Sequence, residues 1–517
     1  MKKRLFIQNA ALLTATALLL RVAGMGFRIY IAGQIGDEGM GLYQLIFTLY
    51  NLGITIATTG VSVASTRMVT EWLASETKSP KALAARVLRY SVFVGAVAGT
   101  VLFFAAQPAC LYLLKDARAI LPLKILAPSL PFMAAGASLR GCFAACRNVK
   151  SASGSQIFEQ IIRIGIVAVL LPRLLPFGLS LACAAIMVGT TVSELLSALY
   201  MLWSWKHYLR QRVDAPCAPP PHALSRYSSI SAPITATRGI GSLLVAIENM
   251  LVPLCLATAL GSATAALAAF GQLKAMAMPL LFFPFSFLST ISTLMLPEIT
   301  ETHTRGDAAG LARLIETTLL LTAVVAVLMS GVFTIFSQDL GKALYHSNEI
   351  GFYLCVLGPL MPTMYLESMV DGILRGLGEQ LATFRYSICD SCLRILGTLL
   401  LVPHFGMAGF LFVMFYSNLF TCTLNIARLL RVAKLSFCWK NWLIKPIFSI
   451  FCGYLSYRFV LLPLLGGRFV LLVRMVCGMA TVSATYLVFL WLSGAVTKEQ
   501  FAFMGLKVKR ESARSCD

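Results

Sequence analysis

The stretch LFIQNAALLTATALLLRVAGMGFRIYIAGQIG (residues 5–36) decides the class of fold. Residues 5–20 carry no charge, and the only charges that follow before Asp37 are Arg21 and Arg28. An apolar run of about 20 residues is long enough to cross the roughly 30 Å hydrocarbon core of a bilayer as a helix. The stretch therefore predicts a transmembrane helix, although a bilayer penalises the two arginines inside it.

The whole chain has the composition of a membrane protein. Of its 517 residues, 58% are hydrophobic and 13% are charged, whereas soluble domains carry roughly 25% charged residues. Mean hydropathy is +0.79. Backbone groups in lipid must be satisfied within the segment, so spanning helices are expected. The fold class predicted is an all-α polytopic membrane protein.

Apolar runs of spanning length follow one another along the chain and predict about fourteen transmembrane helices. They lie near 8–32, 41–66, 87–107, 122–145, 154–172, 179–203, 231–258, 264–296, 311–336, 351–374, 383–402, 407–430, 442–463 and 469–494. Lysine and arginine are concentrated in alternate loops, starting with MKKR at the N-terminus. The positive-inside rule then predicts that both termini are cytoplasmic. Much of the net charge of +21 would face anionic lipids, and no nucleic-acid partner is needed to explain it.

An internal repeat divides the spans. LAPSLP (126–131) matches LGPLMP (357–362) at an offset of 231, and the same offset pairs Glu159 with Asp390 and Arg163 with Arg394. Six spans separate the matching segments, which predicts two parallel six-helix lobes around a central cavity, plus two C-terminal helices. The predicted parts are an N-lobe (1–209), a proline-rich cytoplasmic linker (210–230), a C-lobe (231–432), spans 13 and 14 (433–495) and a basic tail (496–517).

Basic residues inside the spans predict an anionic cargo. Arg21 and Arg28 are seven residues apart and share one helix face, with no acid anywhere in residues 1–36. Snorkelling suits one arginine near a helix end, but two at mid-span favour a water-filled cavity. Arg238 and Lys274 add positive charge from the C-lobe. Arg67, at the end of span 2, could equally be a cavity residue or a basic residue that fixes the orientation of the span. Gly24 and Gly26 are predicted hinge residues.

Acidic residues inside the spans are fewer and allow two interpretations. Glu159 with Arg163, and Asp390 with Arg394, stand at i,i+4 and predict structural ion pairs. Glu248 has no near partner in sequence, so Glu248, Asp390 and Asn418 could together hold a cation. The sequence has no P-loop, nucleotide fold or catalytic triad, which predicts a non-enzyme that uses no nucleotide. Its energy would come from a coupling cation (Na⁺ or H⁺), the membrane potential or the substrate gradient.

Residues 21–71 resemble the N-terminal signature of the stage V sporulation protein B group. The resemblance is carried by GDEGMGLYQL (36–45), TTGVSVAS (58–65) and the basic residue before Glu71. That group belongs to the polysaccharide-exporter and lipid II flippase branch of the MOP superfamily, which also contains the MATE drug exporters. The resemblance implies a flippase for undecaprenyl-diphosphate-linked sugars, such as a peptidoglycan precursor, with sporulation as one setting.

The resemblance also implies roles for particular residues. By position, the cavity arginines of the lipid II flippases fall on Arg21, Arg28 and Arg67 and, through AMAMPL (275–280), on Lys274. The family's sodium site would fall on the acids of spans 7 and 11, and the two extra C-terminal spans would hold the lipid tail.

Three functions stay open. The first is a flippase of lipid-linked oligosaccharides in the bacterial cell membrane, with membrane lipids and cell-wall synthases as partners. The second is a cation-coupled multidrug exporter of the MATE type, although a carboxylate in span 1 is missing. The third is a cell-wall scaffold that transports nothing.

Overall fold

The computed structural model describes residues 2–74, 80–211, 223–434, 440–465 and 471–494. All regular secondary structure in these ranges is helical, which confirms the all-α class. Most of the predicted linker (212–222) and the whole predicted basic tail (496–517) lie outside the described residues.

The helices follow the apolar runs of the sequence. In the first half of the chain they are α1 (Lys2–Ala74), α2 (Lys81–Pro108), α3 (Ile120–Leu126), α4 (Ser129–Ala145), α5 (Val149–Leu174), α6 (Leu179–Arg210), α7 (Ala223–Leu260) and α8 (Ala263–Phe270). A π-helical turn, Gly271–Ala277, leads into α9 (Met278–Phe282) and α10 (Phe285–Thr304). The remaining helices are α11 (Ala308–Ile335), α12 (Ser337–Tyr345), α13 (Asn348–Leu357), α14 (Met361–Gly376), α15 (Gln380–Ala433), α16 (Lys445–Ser456), α17 (Leu462–Leu465) and α18 (Leu471–Leu492).

Two of these helices are interrupted at a glycine. Gly36 in α1 has φ 69° and ψ −173°, and Gly406 in α15 has φ 56° and ψ −135°. Glycine adopts these backbone angles without strain, whereas a residue with a side chain would be strained there. Each glycine therefore separates two helical segments, and in both cases it lies between two predicted spans.

Eleven helices in the described residues are long and apolar enough to cross a membrane, or twelve if the bent pair Ala117–Leu126 and Ser129–Ala145 is one span. The spanning segments that contain the two breaks are Thr14–Ala74, with 61 residues, and Gln380–Ala433, with 54 residues. At 1.5 Å per residue, each is roughly 80–90 Å long, enough for two crossings of a bilayer. The polytopic class is thus confirmed, while the exact count of fourteen stays a prediction.

The chain packs into two compact units. Unit 1 comprises Met1–Leu280 and Ser387–Met414, and unit 2 comprises Leu281–Tyr386 and Phe415–Asp517. These units are defined by packing, whereas the predicted lobes are defined by a sequence repeat. The lobes and their boundaries therefore stay a prediction.

Unit 1 is held together by close approaches of α1 to its neighbours. A side chain on Gly41 would lie 2.0 Å from the carbonyl oxygen of Leu267, and one on Gly271 would lie 2.3 Å from that of Asp37. Such contacts between small residues are typical of membrane helix packing. Toward the end of α1, the Tyr227 hydroxyl of α7 donates to the Val61 carbonyl at 2.9 Å and contacts the Ser65 hydroxyl at 3.0 Å.

Unit 2 combines apolar helix packing with a few polar ties. The Tyr486 hydroxyl of α18 donates to the Val324 carbonyl of α11 at 2.8 Å. Arg474 of α18 pairs with Asp339 of α12 at 3.4 Å. These contacts tie the last described helix into unit 2.

Many large apolar side chains lie on the outside of the helices. Phe104, Ile161 and Leu400 are 73%, 65% and 61% exposed. Exposed apolar side chains in this number suit a surface that faces lipid. This arrangement fits the multi-pass membrane protein predicted from the sequence.

Candidate functional site

The arginine-bearing face of α1 is open. Arg21 is exposed and Arg28 is partly buried, both within the regular helix before Gly36. In the part of the chain that the structure describes, neither arginine has a hydrogen bond or an ion pair. A side chain on Gly24 or Gly26 would meet nothing within 4 Å. The backbone positions of the two arginines are about 10 Å apart along the helix axis, and both guanidinium groups are available to a ligand.

The break in α1 lies away from the predicted hinge. Gly24 and Gly26 have helical backbone, while the interruption is at Gly36, twelve and ten residues further on, respectively. Polar contacts hold the residues after the break. Asp37 accepts a hydrogen bond from Gln272 at 2.6 Å, and Glu38 pairs with Arg118 at 2.7 Å. A hinge role for Gly24 and Gly26 stays a prediction.

Two other predicted basic residues lie on exposed surface. Arg67 pairs with Glu71 at 3.0 Å, and the other oxygen of Glu71 accepts from Arg226 at 2.7 Å. Because 62% of the Arg67 side chain is exposed, this geometry suits an anchor at a helix end. Arg238 is exposed on α7 and has no hydrogen bond or ion pair to any described residue.

Lys274 is buried in a cluster of charged residues from three helical segments. Its Nζ lies 3.4 Å from Oε1 of Glu248 on α7 and 5.4 Å from the ring centre of Phe410 on α15. Arg394 of α15 donates to the same Glu248 oxygen at 2.6 Å, and it lies 3.8 Å from Asp390. Lys274 therefore already has an anionic partner, which is a protein carboxylate.

Glu248, one residue of the predicted cation site, already has two basic partners. Glu248 is 2% exposed, and one of its oxygens already accepts from Lys274 and Arg394. An added cation would face both of these positive side chains. In unit 2, the Asn418 amide donates to Glu367 at 2.6 Å, and its oxygen accepts from the Thr363 hydroxyl.

The described part of the chain has no group of three or more histidine, cysteine, aspartate or glutamate side chains that could hold a metal ion. The coupling cation, and its assignment to Glu248, Asp390 and Asn418, stay predictions.

The second cluster of charges lies between α5 and α6. Both predicted intrahelical pairs are present, Glu159 with Arg163 and Asp390 with Arg394. Arg163 has a further partner that the sequence reasoning missed, because Nη2 lies 3.2 Å from Oε1 of Glu194 on α6. The available signal was a single acid in the middle of an apolar span, which is rare without a function or a partner.

A family model supports the predicted resemblance. The model described as "Polysaccharide biosynthesis protein" matches residues 6–303, more than half of the chain. "Stage V sporulation protein B" of Bacillus subtilis (strain 168) is 24% identical over 463 residues, covering 88% of this chain and 89% of the relative. The resemblance stated from residues 21–71 is thereby confirmed.

Solved structures of the MOP superfamily share the fold. "Lipid II flippase MurJ, inward closed conformation" matches with a TM-score of 0.69 and 14% identity, covering 92% of this chain and 97% of that one. An inward-facing multidrug resistance MATE family transporter matches with a TM-score of 0.64 and 12% identity, covering 82% of this chain and all of that one. These neighbours are a flippase and a transporter rather than enzymes, in agreement with the predicted non-enzyme.

Proposed function

The chain belongs to the polysaccharide biosynthesis protein family, and starting from that membership we propose that it flips undecaprenyl-diphosphate-linked sugars across the bacterial cell membrane. The cargo would be a lipid-linked precursor of the cell wall or of a polysaccharide, with lipid II as one candidate. Transport would proceed by alternating access, with no covalent change in the cargo.

The observation that carries this proposal is the arginine pair on α1. Arg21 and Arg28 share a face, and neither has a partner among the described residues. A charge in contact with hydrocarbon is expensive, so intramembrane arginines usually face water or a counter-charge. An anionic ligand in a hydrated cavity would supply that counter-charge.

A diphosphate suits these arginines better than a carboxylate does. The guanidinium group is planar and can donate two parallel hydrogen bonds to phosphate oxygens. Two arginines separated by about 10 Å along the helix have side chains long enough to reach both ends of a diphosphate. Lys274 would join them only if cargo displaced it from Glu248, so its role in binding stays an expectation.

The likeness to the MATE transporter supports a second candidate, a drug exporter. Cationic drugs would need negative charge where this chain presents Arg21 and Arg28. The first acid of the chain is Asp37, which follows the break at Gly36 and accepts from Gln272. The exposed face of α1 is therefore basic, which favours the flippase.

We extend the proposal to cellular setting and orientation. The distribution of lysine and arginine among the loops favours cytoplasmic termini. The relative from Bacillus subtilis is a sporulation protein, and the proposed setting is therefore formation of the spore cortex. Cell-wall synthases that use the flipped precursor are the proposed partners.

Complementation tests the proposal in cells. The gene would be expressed in a bacterial strain depleted of its lipid II flippase, with a labelled precursor detected at the outer leaflet. Wild-type protein should restore growth and labelling, whereas Arg21→Ala and Arg28→Ala should not. Arg305→Ala is the matched control, because Arg305 lies in an exposed pair with Glu301. Rescue by both α1 variants at normal protein levels would contradict the proposal.

A further inference from the structure

The charged cluster of α5 and α6 contains more acid than base. Arg163 Nη2 contacts Oε1 of Glu159 and also Oε1 of Glu194, the latter at 3.2 Å. A second nitrogen of the guanidinium, Nε, donates to the hydroxyl of Ser193 at 3.4 Å. Thus one guanidinium serves two carboxylates through a single nitrogen.

The cluster lies deep within its spans. The spanning segments are Lys150–Phe177 and Leu179–Arg210, and Arg163 and Glu194 are close to their respective midpoints. The side chains of Glu159, Arg163 and Glu194 are 15%, 22% and 8% exposed. An uncompensated charge at such a position is unfavourable, so the excess carboxylate needs a second positive charge or a proton.

The surrounding helices do not supply the second charge by direct contact. Three ionisable side chains lie close enough to interact electrostatically with the cluster: Arg140 from α4, and Tyr43 and Tyr50 from α1. Arg140 forms no ion pair with any described residue. The Tyr50 hydroxyl is hydrogen-bonded to Ser129 and to the sulfur of Met133.

The two carboxyl groups share one hydrogen-bond donor. Oε1 of Glu159 and Oε1 of Glu194 both contact Nη2 of Arg163, so the two carboxyl groups lie side by side. Like charges that share a buried site favour protonation of one of them, so that one proton is held between the two carboxylates.

We propose that Glu159 and Glu194, held together by Arg163, form a proton-binding site that couples transport to the proton gradient. On binding, a proton from water joins one carboxylate oxygen, and no other covalent bond changes. On release, two negative carboxylates contact the single guanidinium of Arg163, which favours a different arrangement of α5 and α6. Proton binding itself does not depend on the nature of the cargo, whereas coupling rests on the proposed flippase activity.

Infrared titration of the purified protein tests the site directly. A protonated carboxyl group has a C=O stretch distinct from that of a carboxylate, and in the wild type this band should lose intensity as the pH is raised. Glu159→Gln and Glu194→Gln should each abolish the band, since each leaves one carboxylate for one guanidinium. Both variants are balanced in charge and are expected to fold. Glu301→Gln, at an exposed position, is the control and should leave the band unchanged.

Flux measurements test the coupling separately. In proteoliposomes, an imposed pH gradient should change the rate of cargo flipping by the wild type and should have no effect on either Gln variant. A band that titrates in protein that flips no cargo would overturn the proposed function while leaving the proton site intact. A wild type without a titrating band, or a band that survives in both variants, would overturn the proton site whatever the flux.

Discussion

Arg394 donates from Nη2 to Oε1 of Glu248 at 2.6 Å, joining residues 146 positions apart in the chain. The same oxygen lies 3.4 Å from Nζ of Lys274. Two basic side chains therefore hold the carboxylate that the sequence assigned to a cation site. Removing one partner of a buried pair leaves an uncompensated charge, which commonly costs about 3–5 kcal/mol.

We expect Arg394→Gln to lower the thermal stability of the purified protein in detergent by several degrees. Lys274→Gln should lower it less, because its contact with Glu248 is longer. The matched control is the double variant Glu248→Gln, Lys274→Gln, which leaves Arg394 with Asp390. The double variant should recover most of the stability lost in Lys274→Gln. Single variants as stable as the wild type would contradict this view of the cluster.

The break in α1 predicts that alanine lowers stability at Gly36 but not at Gly24 or Gly26. Gly36→Ala forces a side chain into φ 69°, ψ −173°, and should cost about 1–3 kcal/mol. Gly24→Ala and Gly26→Ala are the matched controls, since their backbone is helical and their surroundings are open. Both controls should unfold at or above the wild-type temperature. A Gly36→Ala protein as stable as the two controls would show that the break does not require glycine.

The variants Gly24→Ala and Gly26→Ala also test whether these two glycines act as a hinge. If Gly24 and Gly26 serve helix movement, their alanine variants should fold normally but flip cargo more slowly than the wild type. The measurement is the flipping rate in proteoliposomes at matched protein content. Normal rates in both variants would leave Gly36 as the better candidate for bending in α1.

The close approach of α1 to α8 predicts a strict size limit at Gly41. An alanine there would place a carbon 2.0 Å from the Leu267 carbonyl oxygen, so the two helices must separate. We expect Gly41→Ala to reduce the yield of folded protein and to lower its unfolding temperature, because overpacking commonly costs 1–3 kcal/mol or more. Gly33→Ala has nothing within 4 Å and is the control. A Gly41→Ala protein of wild-type stability is incompatible with this packing.

The turn between α2 and α3 predicts an acid-sensitive contact. Burial alone would raise the pKa of Asp116, but hydrogen bonds from the side chain and backbone of Arg118 outweigh burial and lower it. A pKa lowered by folding contributes stability above the unfolded value, and this stability is lost as pH falls through the folded value. Asp116→Asn should therefore weaken the loss of stability between about pH 5 and pH 2.

Thermal unfolding across that pH range checks the prediction. Asp339→Asn is the control, because it removes another acid that pairs with an arginine, at 3.4 Å rather than 2.7 Å. Its acid profile should stay closer to that of the wild type. An Asp116→Asn profile identical to the wild type would show that the contact contributes nothing to acid stability.

The helical fold was largely predictable because a helix that crosses a bilayer needs a long apolar segment, and such segments can be recognised without knowing the tertiary contacts. The intrahelical partners of Arg163 and Arg394 were predictable for a similar reason, since residues four apart share a helix face. The sequence could not provide the partners of Glu248 or the second partner of Arg163. Those partners come from other helices, and only packing brings Arg394 to Glu248 and Glu194 to Arg163.

The predicted hinge illustrates a different limit. Glycine is tolerated within a continuous helix, so Gly24 and Gly26 do not by themselves mark a break. Gly36 precedes two acids that are held by Gln272 and Arg118 from distant parts of the chain. The position of the break depends on those tertiary contacts as well as on the glycine.

The most direct test of the account is flipping by purified protein. Wild type, Arg21→Ala, Arg28→Ala and the control Arg305→Ala would be reconstituted at equal content with a fluorescent undecaprenyl-diphosphate-linked sugar. A charge-assisted hydrogen bond contributes about 1.5–3 kcal/mol, so each α1 variant should lose roughly tenfold or more in apparent affinity. The control should match the wild type. Wild-type flipping by the double variant Arg21→Ala, Arg28→Ala would contradict the central claim that this arginine pair binds the diphosphate.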